Sequence, residues 1–350
     1  MRRLLVATDA WHPQINGVVR TFERMVEELG ALGIDVTMLA SSAFRTIPCP
    51  TYPEIRLAIS RPSTVRATIV AAAPDHVHIA TEGPLGFIAR RWCLAEGRAF
   101  TTSFHTKFPE YLRARAPVPE SWTYAWLRRF HNSGSGCMVA TPSLEHDLAR
   151  RGFRRLMRWS RGVDGRLFRP RSDQGVLDFP RPICLYVGRV APEKNLEAFL
   201  SLDLPGSKVV VGEGPALAAL KSRFENAHFL GFREGEPLAE VYAAADVFVF
   251  PSRTDTFGIV LLEALACGVP VAAYPVTGPA DVIGDAGVGV LDEDLRLATL
   301  AALQIPRERC RAFALSHGWQ VSARQFLDNI DRAQALFSRS EKTERQLAPG

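Results

Sequence analysis

Short apolar runs alternate with amphipathic stretches along most of the chain. The runs are rich in β-branched and aromatic residues, as buried parallel strands are, and they lie at residues 3–8, 34–40, 76–80, 99–104, 137–140, 183–187, 209–211, 246–250, 269–274 and 288–291. Helical patterns occupy many of the segments between them, for example at 64–73 and 85–96. This alternation predicts an α/β fold built on doubly wound parallel sheets.

A stretch of turn residues divides the pattern into two halves. Glycine, proline and aspartate cluster from 163 to 180, and the strand–loop–helix pattern then restarts. The 350 residues are enough for two domains. We therefore predict an N-terminal domain at 1–165 and a C-terminal domain at 175–316, joined by a linker at about 163–180. Residues 339–350 are polar and are predicted to form a flexible tail.

The most informative stretch is the strand–loop–helix–strand unit at residues 246–274. Turn residues follow its first strand, a helix is predicted from about Phe257, and Gly268 and Pro270 end that helix. Units of this kind bind ligands at the carboxyl ends of their strands. The start of the helix offers free backbone N–H groups and the positive end of the helix dipole, which together favour an anion such as phosphate.

Two acidic residues, Asp255 and Glu263, lie in this unit with seven residues between them. Their levels along a helix would differ by about 10–12 Å, which is roughly the reach of a nucleoside diphosphate with its sugar. Glu263 shares an apolar helix face with Ile259 and Ala266, so it needs a hydrogen-bonding partner there. Two interpretations stay open: the partner is the local backbone, or it is the diol of a bound ribose.

Loops after other predicted strands also place polar residues and glycines at strand ends. Asn16 and Gly17 follow the first strand, His105 follows a later one, and Arg189 and Lys194 follow the first strand of the second half. Two cations there would stabilise a departing diphosphate, each by up to about 4 kcal/mol at ~4 Å and an effective dielectric constant of ~20. Each feature alone also fits a structural role: a turn glycine, a structural histidine, or a pair of solvated surface cations.

The composition is that of an ordinary folded chain, with 47 % hydrophobic and 23 % charged residues. No apolar run approaches the length of a membrane span, and the first one stops too soon for a signal peptide. The six cysteines are scattered without a Cys-x-x-Cys pair, which predicts reduced thiols in a cytoplasmic protein. His76 and His78 alternate along one strand and are predicted to be structural, and residues 292–294 are predicted to cap a helix. No metal site is therefore predicted.

The charge is unevenly distributed along the chain. Residues 1–170 contain 24 Lys and Arg against 14 Asp and Glu, whereas residues 171–350 contain 18 against 23. A basic half suits an anionic membrane surface or substrate, and we find none of the usual signatures of nucleic-acid binding. Trp122, Trp126 and Phe130 recur every four residues beside two arginines. This stripe either packs into the core or forms an interfacial helix at an anionic lipid surface.

Taken together, these motifs resemble one known family. Asp255 and Glu263, followed by Ala-x-Gly-x-Pro-Val at 266–271, are similar to the donor-site motif of family-4 retaining glycosyltransferases of GT-B fold, whose usual first acid is glutamate. Gly-Arg-x4-Lys at 188–194 also matches that family, and the resemblance covers residues 1 to about 338. It implies two Rossmann-like domains facing across a cleft, with a C-terminal helix at about 318–338 that crosses back to the first domain.

The resemblance also implies roles for individual residues. The catalytic residues would be His105, Arg189, Lys194 and Asp255. Contacts with the sugar donor would come from Gly17, Gly188, Gly212, Gly214, Leu230, Phe257, Gly258, Ile259 and Glu263. Contacts with the acceptor would come from Asn16, Glu82 and Tyr111.

The predicted function is transfer of a hexose, with retention of configuration, from a UDP- or GDP-sugar to an acceptor hydroxyl. No metal, other cofactor or nucleic-acid partner is predicted. The basic first half favours a membrane lipid or lipid-linked glycan as acceptor, with the protein peripheral on the inner face of the cytoplasmic membrane. Two alternatives stay open: a sugar-nucleotide 2-epimerase of the same fold, and a non-catalytic nucleotide-sugar-binding protein.

Overall fold

The computed structural model describes residues 1–14, 16–49, 52–105, 108–113, 118–171, 177–255 and 257–347. It contains two compact units, one formed by Met1–Ser160 with Gln320–Gly350 and the other by Arg161–Trp319. The sequence assigns residues 161–165 to the first domain, whereas the structure places them in the second unit. These residues are tied to the second unit by a backbone hydrogen bond, in which the Val163 N–H donates to the carbonyl of His317 of that unit at 2.8 Å.

A six-stranded parallel sheet forms the centre of the first unit. The strands of this unit are β1 (Arg2–Thr8), β2 (Ile34–Ala40), β3 (Arg45–Cys49), β4 (Tyr52–Ile59), β5 (His76–Ile79), β6 (Phe100–Phe104), β7 (Gly136–Val139) and β8 (Leu156–Arg158). The sheet has the order β2-β1-β5-β6-β7-β8, while β3 and β4 form a separate antiparallel hairpin that the sequence analysis did not predict. The order reverses at the β1–β5 pair, which is therefore the switch point where sheets of this type bind ligands.

Helices connect the strands of the first unit. They are α1 (Gly17–Ala31), α2 (Pro62–Ala72), α3 (Pro84–Ala95), α4 (Phe108–Arg113), α5 (Glu120–His131) and α6 (Pro142–Arg150). Proline occupies the first helical position of α2, α3 and α6, where its missing N–H costs nothing. Asn16 caps α1, because its Oδ1 accepts hydrogen bonds from the N–H groups of Val18 and Val19 at 3.0 and 3.1 Å.

The second unit is built on another six-stranded parallel sheet. Its strands are β9 (Ile183–Val187), β10 (Ser207–Val211), β11 (His228–Phe229), β12 (Val247–Phe250), β13 (Val271–Ala273) and β14 (Gly289–Leu291). Its helices are α7 (Leu196–Leu200), α8 (Leu217–Arg223), α9 (Gly235–Ala244), α10 (Ile259–Ala266), α11 (Thr277–Ile283), α12 (Leu295–Ala302) and α13 (Arg307–Leu315). The order β11-β10-β9-β12-β13-β14 is that of a Rossmann sheet and reverses at the β9–β12 pair. The predicted doubly wound fold is confirmed in both units.

The C-terminal helix (Trp319–Leu347) belongs to the first unit from residue 320 onward. Phe326 and Ile330 are buried on it, and Trp159 Nε1 donates to Ser322 Oγ at 3.0 Å. The helix continues to Leu347, so residues 339–347 are helical in the segment where the sequence predicts a flexible tail. Glu, Lys, Arg and Gln predominate in this segment, and these residues favour helix. In the described part of the chain, no helix combines the length and apolarity needed to cross a bilayer.

Helix α5 tests the core interpretation of the aromatic stripe. Phe130 is buried, but Trp122 is 72 % exposed and Trp126 is 46 % exposed, so the core interpretation is wrong for both tryptophans. The buried face of α5 is instead formed by residues such as Tyr124 and Leu127. At 3.6 residues per turn, positions eight apart differ by about 80° around the helix, so a strict four-residue repeat drifts off one face.

A buried polar chain crosses the centre of the first sheet. Thr101 Oγ1 lies 2.9 Å from both His76 Nε2 and His78 Nδ1, and Ser103 Oγ lies 2.9 Å from His78 Nε2. These groups are all buried. The structural role predicted for the two histidines is confirmed, since buried polar groups require such partners.

Because His76 is buried in this row of polar side chains, we expect the stability of the protein to depend on pH. Burial, with smaller contributions from the positive charges of Arg2 and Arg98, lowers the pKa of His76 to about 3 from 6.5. The folded state therefore excludes a proton that the unfolded state binds below pH 6.5, and stability is lost as the pH falls toward 3. Between pH 7 and pH 5 we expect His76 to account for a loss of about 2 kcal/mol.

The measurement is urea unfolding of the wild type and His76→Gln at both pH values. The difference between the two proteins isolates His76 from Asp9, whose pKa burial raises to about 6 and whose contribution has the opposite sign. Equal changes in the two proteins would contradict the assignment.

Candidate active site

The switch point of the second sheet brings together two of the predicted loops. The loop after β9 contains Arg189 and ends in a single helical turn, Pro192–Lys194. The loop after β12 is described from Pro251 to Asp255 and again from residue 257. Asn195 Nδ2 donates to the Pro251 carbonyl at 3.1 Å, which joins the two loops. Side chains from both loops therefore share one edge of the sheet.

Lys194 and Asp255 form an ion pair at this edge. Lys194 Nζ lies 2.5 Å from Asp255 Oδ1, and each side chain is 19 % exposed. The other carboxylate oxygen, Asp255 Oδ2, is buried and has no hydrogen-bond partner among the described residues. The sequence analysis named both residues but did not predict that they pair. A buried carboxylate oxygen without a partner has a strong requirement for a hydrogen-bond donor.

Arg189 also pairs with an acidic residue. Its guanidinium contacts Glu193, four residues along the chain, and the two side chains are 27 % and 16 % exposed. The buried Tyr186 hydroxyl donates to the Arg189 carbonyl at 3.0 Å. Burial and the nearby charge of Asp255 raise the pKa of Tyr186, although Arg189 opposes this, so the phenol stays neutral. The sequence analysis missed Tyr186 and Glu193; the four-residue spacing from Arg189 was a usable signal for Glu193.

Three glycines allow the loops to approach one another closely. Gly188, Gly212 and Gly214 have φ values of +153°, +138° and +154°, which favour glycine. A Cβ on Gly212 would lie 1.9 Å from the Gly188 carbonyl oxygen, and one on Gly214 would lie 2.3 Å from the Val190 carbonyl oxygen. The Gly212 N–H donates to the Gly231 carbonyl, next to the predicted contact Leu230.

Helix α10 begins at Ile259, two residues later than predicted. Gly258 is its N-cap, with φ +83°, and Phe257 is half-buried against the core. The first N–H groups of α10 lack intrahelical partners, as at any helix start. Glu263 is buried, and Tyr242 on α9 donates its hydroxyl hydrogen to Glu263 Oε2 at 2.9 Å. Tyr242 differs from the two partners that the sequence left open for Glu263, which were the local backbone and the diol of a bound ribose.

The switch point of the first sheet contains predicted acceptor residues. Gly17 begins the helix that Asn16 caps, and a Cβ on Gly17 would meet nothing within 4 Å. Glu82 lies in the loop after β5, where Glu82 Oε1 is 2.9 Å from Nε2 of the buried His131.

The next strand of the first sheet, β6, ends beside the remaining predicted residues of this unit. His105 follows β6 and meets the rings of Phe22 and Trp159 edge-on. Tyr111 lies on α4, and its side chain is outside the described part of the chain.

The acidic run at 292–294 caps a helix, as predicted. Asp294 Oδ1 accepts hydrogen bonds from the N–H groups of Arg296 and Leu297, at 2.9 and 3.1 Å. Within the described ranges, His, Cys, Asp and Glu side chains form no cluster of three or more that could hold a metal ion.

Solved structures share this architecture. One is Anabaena Alr3699/HepE in complex with UDP and glucose, at a TM-score of 0.70 and 15 % identity over 95 % of this chain and 100 % of that one. Another is sucrose-phosphate synthase from Thermosynechococcus elongatus, at a TM-score of 0.70 and 21 % identity over 99 % of both chains. Together with the two doubly wound sheets, these structures show that the chain has the GT-B fold.

Sequence comparisons identify the family to which the chain belongs. Residues 15–166 match the family described as Glycosyltransferase Family 4, and residues 181–304 match Glycosyl transferases group 1. The chain belongs to glycosyltransferase family 4.

Curated relatives agree with this assignment. The GDP-mannose-dependent alpha-mannosyltransferase of Mycobacterium tuberculosis is 29 % identical, over 94 % of this chain and 96 % of the relative. The sulfoquinovosyl transferase SQD2 of Arabidopsis thaliana is 27 % identical over 77 % of this chain and 58 % of the relative.

Proposed function

We propose that this protein is a retaining, metal-independent hexosyltransferase. It takes a hexose from a nucleoside-diphosphate sugar and transfers it to a hydroxyl group of a membrane lipid or lipid-linked glycan. The observation that supports this best is the arrangement of Lys194, Arg189 and Asp255 at the β9–β12 switch point. Relatives named for GDP-mannose make that sugar nucleotide the first one to test, followed by UDP-sugars.

The proposed sugar-donor site follows from the charges and hydrogen-bonding groups at the switch point. The diphosphate lies against the free N–H groups at the start of α10, beside Arg189 and Lys194, which stabilise the charge it gains on leaving. A hexose hydroxyl donates to Asp255 Oδ2, the buried oxygen that has no partner among the described residues. Glu263, oriented by Tyr242, accepts from the ribose diol.

The proposed chemistry uses the leaving group itself as a base. The glycosidic bond to the diphosphate breaks, and the acceptor oxygen bonds to the anomeric carbon on the same face. The acceptor proton passes to the diphosphate oxygen, so configuration is retained.

The test of the proposed function is a thermal-shift panel with GDP-mannose, UDP-glucose and ADP-glucose, followed by a transfer assay. We expect one sugar nucleotide to raise the unfolding temperature and to be consumed with an acceptor, giving a product with the configuration of the donor by NMR. The rate should not change with EDTA. Incubation without acceptor separates the alternatives, since an epimerase would convert the sugar. No thermal shift with any of the three would contradict the proposal.

The acceptor part of the proposal rests on an exposed ridge of the first unit. This α5 ridge consists of Trp122 and Trp126, with Arg129 about one turn further along. Exposed indole rings insert at the membrane–water interface, and arginine is attracted to anionic headgroups. The basic balance of residues 1–170 adds a long-range attraction of the same sign. We propose that the α5 ridge contacts the anionic membrane that contains the acceptor.

The double substitution Trp122→Ala/Trp126→Ala should weaken binding to phosphatidylglycerol vesicles by about tenfold or more, because it removes the exposed indoles and little of the core. Co-sedimentation measures the binding, with phosphatidylcholine vesicles as the uncharged comparison. The matched control is Leu297→Ala/Leu315→Ala, which removes two residues of the second unit that are 54 % and 55 % exposed. Unchanged binding after loss of both tryptophans would rule out the ridge.

A further inference from the structure

A buried histidine connects the interior of the first unit to a partly exposed carboxylate at its switch point. His131 Nε2 lies 2.9 Å from Glu82 Oε1, and His131 Nδ1 lies 2.8 Å from Thr102 Oγ1. The His131 side chain is fully buried, whereas that of Glu82 is 24 % exposed. Among the described residues, the second oxygen of Glu82 has no hydrogen-bond partner.

We propose that His131 is a positioning residue for the acceptor. It holds Glu82 by one carboxylate oxygen, so that the other oxygen accepts a hydrogen bond from a hydroxyl group of the acceptor. The ligand class is therefore a polyol, either a sugar or a lipid headgroup with free hydroxyls. The inference rests on the function proposed above and assigns the side chains that recognise the acceptor.

The position of Glu82 supports this role. Glu82 lies in the loop after β5, and β5 pairs with β1 at the switch point of the first sheet. The loop after β1 ends at Asn16 and Gly17, and His105 follows β6, the next strand in the sheet. Open α/β sheets bind their ligands at this place, outside the carboxyl ends of the strands.

The contact with the Glu82 carboxylate determines which nitrogen of His131 carries a hydrogen. A carboxylate can only accept, so Nε2 of His131 must hold a hydrogen. Burial opposes a positive charge on the ring, but Cys137 and the Glu82 carboxylate outweigh burial and raise the pKa of His131. The resulting charge-assisted hydrogen bond fixes the direction of the Glu82 carboxylate. Thr102, on the other side of the ring, fixes the plane of the imidazole.

Cys137 lies beside His131, so Cys137, His131 and Glu82 are residue types that could act as nucleophile, base and acid. Covalent catalysis by this thiol is excluded by access, since Cys137 is completely buried in β7. Burial leaves Glu82 as the member of the group that a substrate can touch.

The experiment compares Glu82→Gln, His131→Asn and His131→Gln in the full chain. Glutamine keeps an N–H close to the position of Nε2, whereas asparagine keeps a polar group only near Nδ1. The assay follows mannose transfer from GDP-mannose to a glucosyl diacylglycerol in phosphatidylglycerol vesicles, with methyl mannoside as the soluble comparison. We expect Glu82→Gln and His131→Asn to raise KM for the acceptor by about tenfold and KM for GDP-mannose by less than about twofold. His131→Gln should bring the acceptor KM most of the way back to that of the wild type. The pH dependence of this KM should be shifted, because glutamine carries no charge.

A second measurement does not depend on finding the acceptor. Proton–nitrogen NMR of histidine-labelled protein should show His131 protonated on both nitrogens at pH 8 in the wild type, with a lower pKa in Glu82→Gln. An unchanged acceptor KM in Glu82→Gln, or an unchanged His131 titration, would overturn the assignment. Failure of the wild type to bind or use any sugar nucleotide would instead overturn the proposed function.

Discussion

Replacing Lys194 by alanine is expected to lower kcat by about 10²–10³-fold with little change in the unfolding temperature. Lys194 is a cation at the end of β9, where the leaving diphosphate is proposed to gain charge. Its removal also leaves the Asp255 carboxylate without its ion-pair partner, which would repel a diphosphate. Steady-state transfer with saturating sugar nucleotide measures the loss. Lys221→Ala is the matched control, because Lys221 is an exposed lysine of the same unit, on α8.

A double substitution separates two explanations of that loss. If Lys194 served only to neutralise Asp255, then Lys194→Ala/Asp255→Asn would recover the activity. We expect no recovery, since both residues are proposed to contact the sugar nucleotide. Full activity in Lys194→Ala would remove this residue from the proposed mechanism.

Replacing Gly212 by alanine is expected to destabilise the second unit by about 4 kcal/mol or more. The new Cβ would lie 1.9 Å from the Gly188 carbonyl oxygen, and the φ of +138° is unfavourable for any residue with a side chain. The clash is with backbone, because Gly188 directly follows β9 and Gly212 directly follows β10, so neither can move without disturbing its strand. Urea unfolding at neutral pH measures the effect.

Gly17→Ala is the control for this substitution. A Cβ there meets nothing within 4 Å, so the free energy of unfolding should stay close to that of the wild type. An unfolding midpoint for Gly212→Ala equal to that of Gly17→Ala would show that the loops are not held as the structure has them.

Local patterns were sufficient to predict the fold. Buried strands such as β9 and β12 are continuous apolar runs, and their alternation with helices leaves few possible topologies. The hairpin of β3 and β4 was missed, because Ile47 and Ile59 are exposed on it and its residues do not form one apolar run. The signal that the sequence does contain is the alternation of apolar residues at 55, 57 and 59 along β4, and Ala58 of this strand is buried in the core.

The sequence indicated residues of the candidate site one at a time, but it did not indicate how they pair. Loop positions after strands indicated Lys194 and Asp255 separately, and these residues are 61 positions apart, so only the sheet order brings them together. Tyr242 was missed as the partner of Glu263 for a similar reason, since it lies on the buried side of a different helix. Pairings of this kind depend on tertiary packing, which periodicity does not encode.

The backbone contacts among the loop segments at 188–190, 212–214 and 231 have a consequence for engineering new sugar-nucleotide specificity. The three loop segments are interlocked main chain to main chain, so an insertion or deletion in one of them would displace the others. Mutant libraries that vary loop length here would yield mostly unfolded protein. Substitutions are better tolerated at side chains outside these backbone contacts, such as the exposed Glu213, because they leave the loop lengths unchanged.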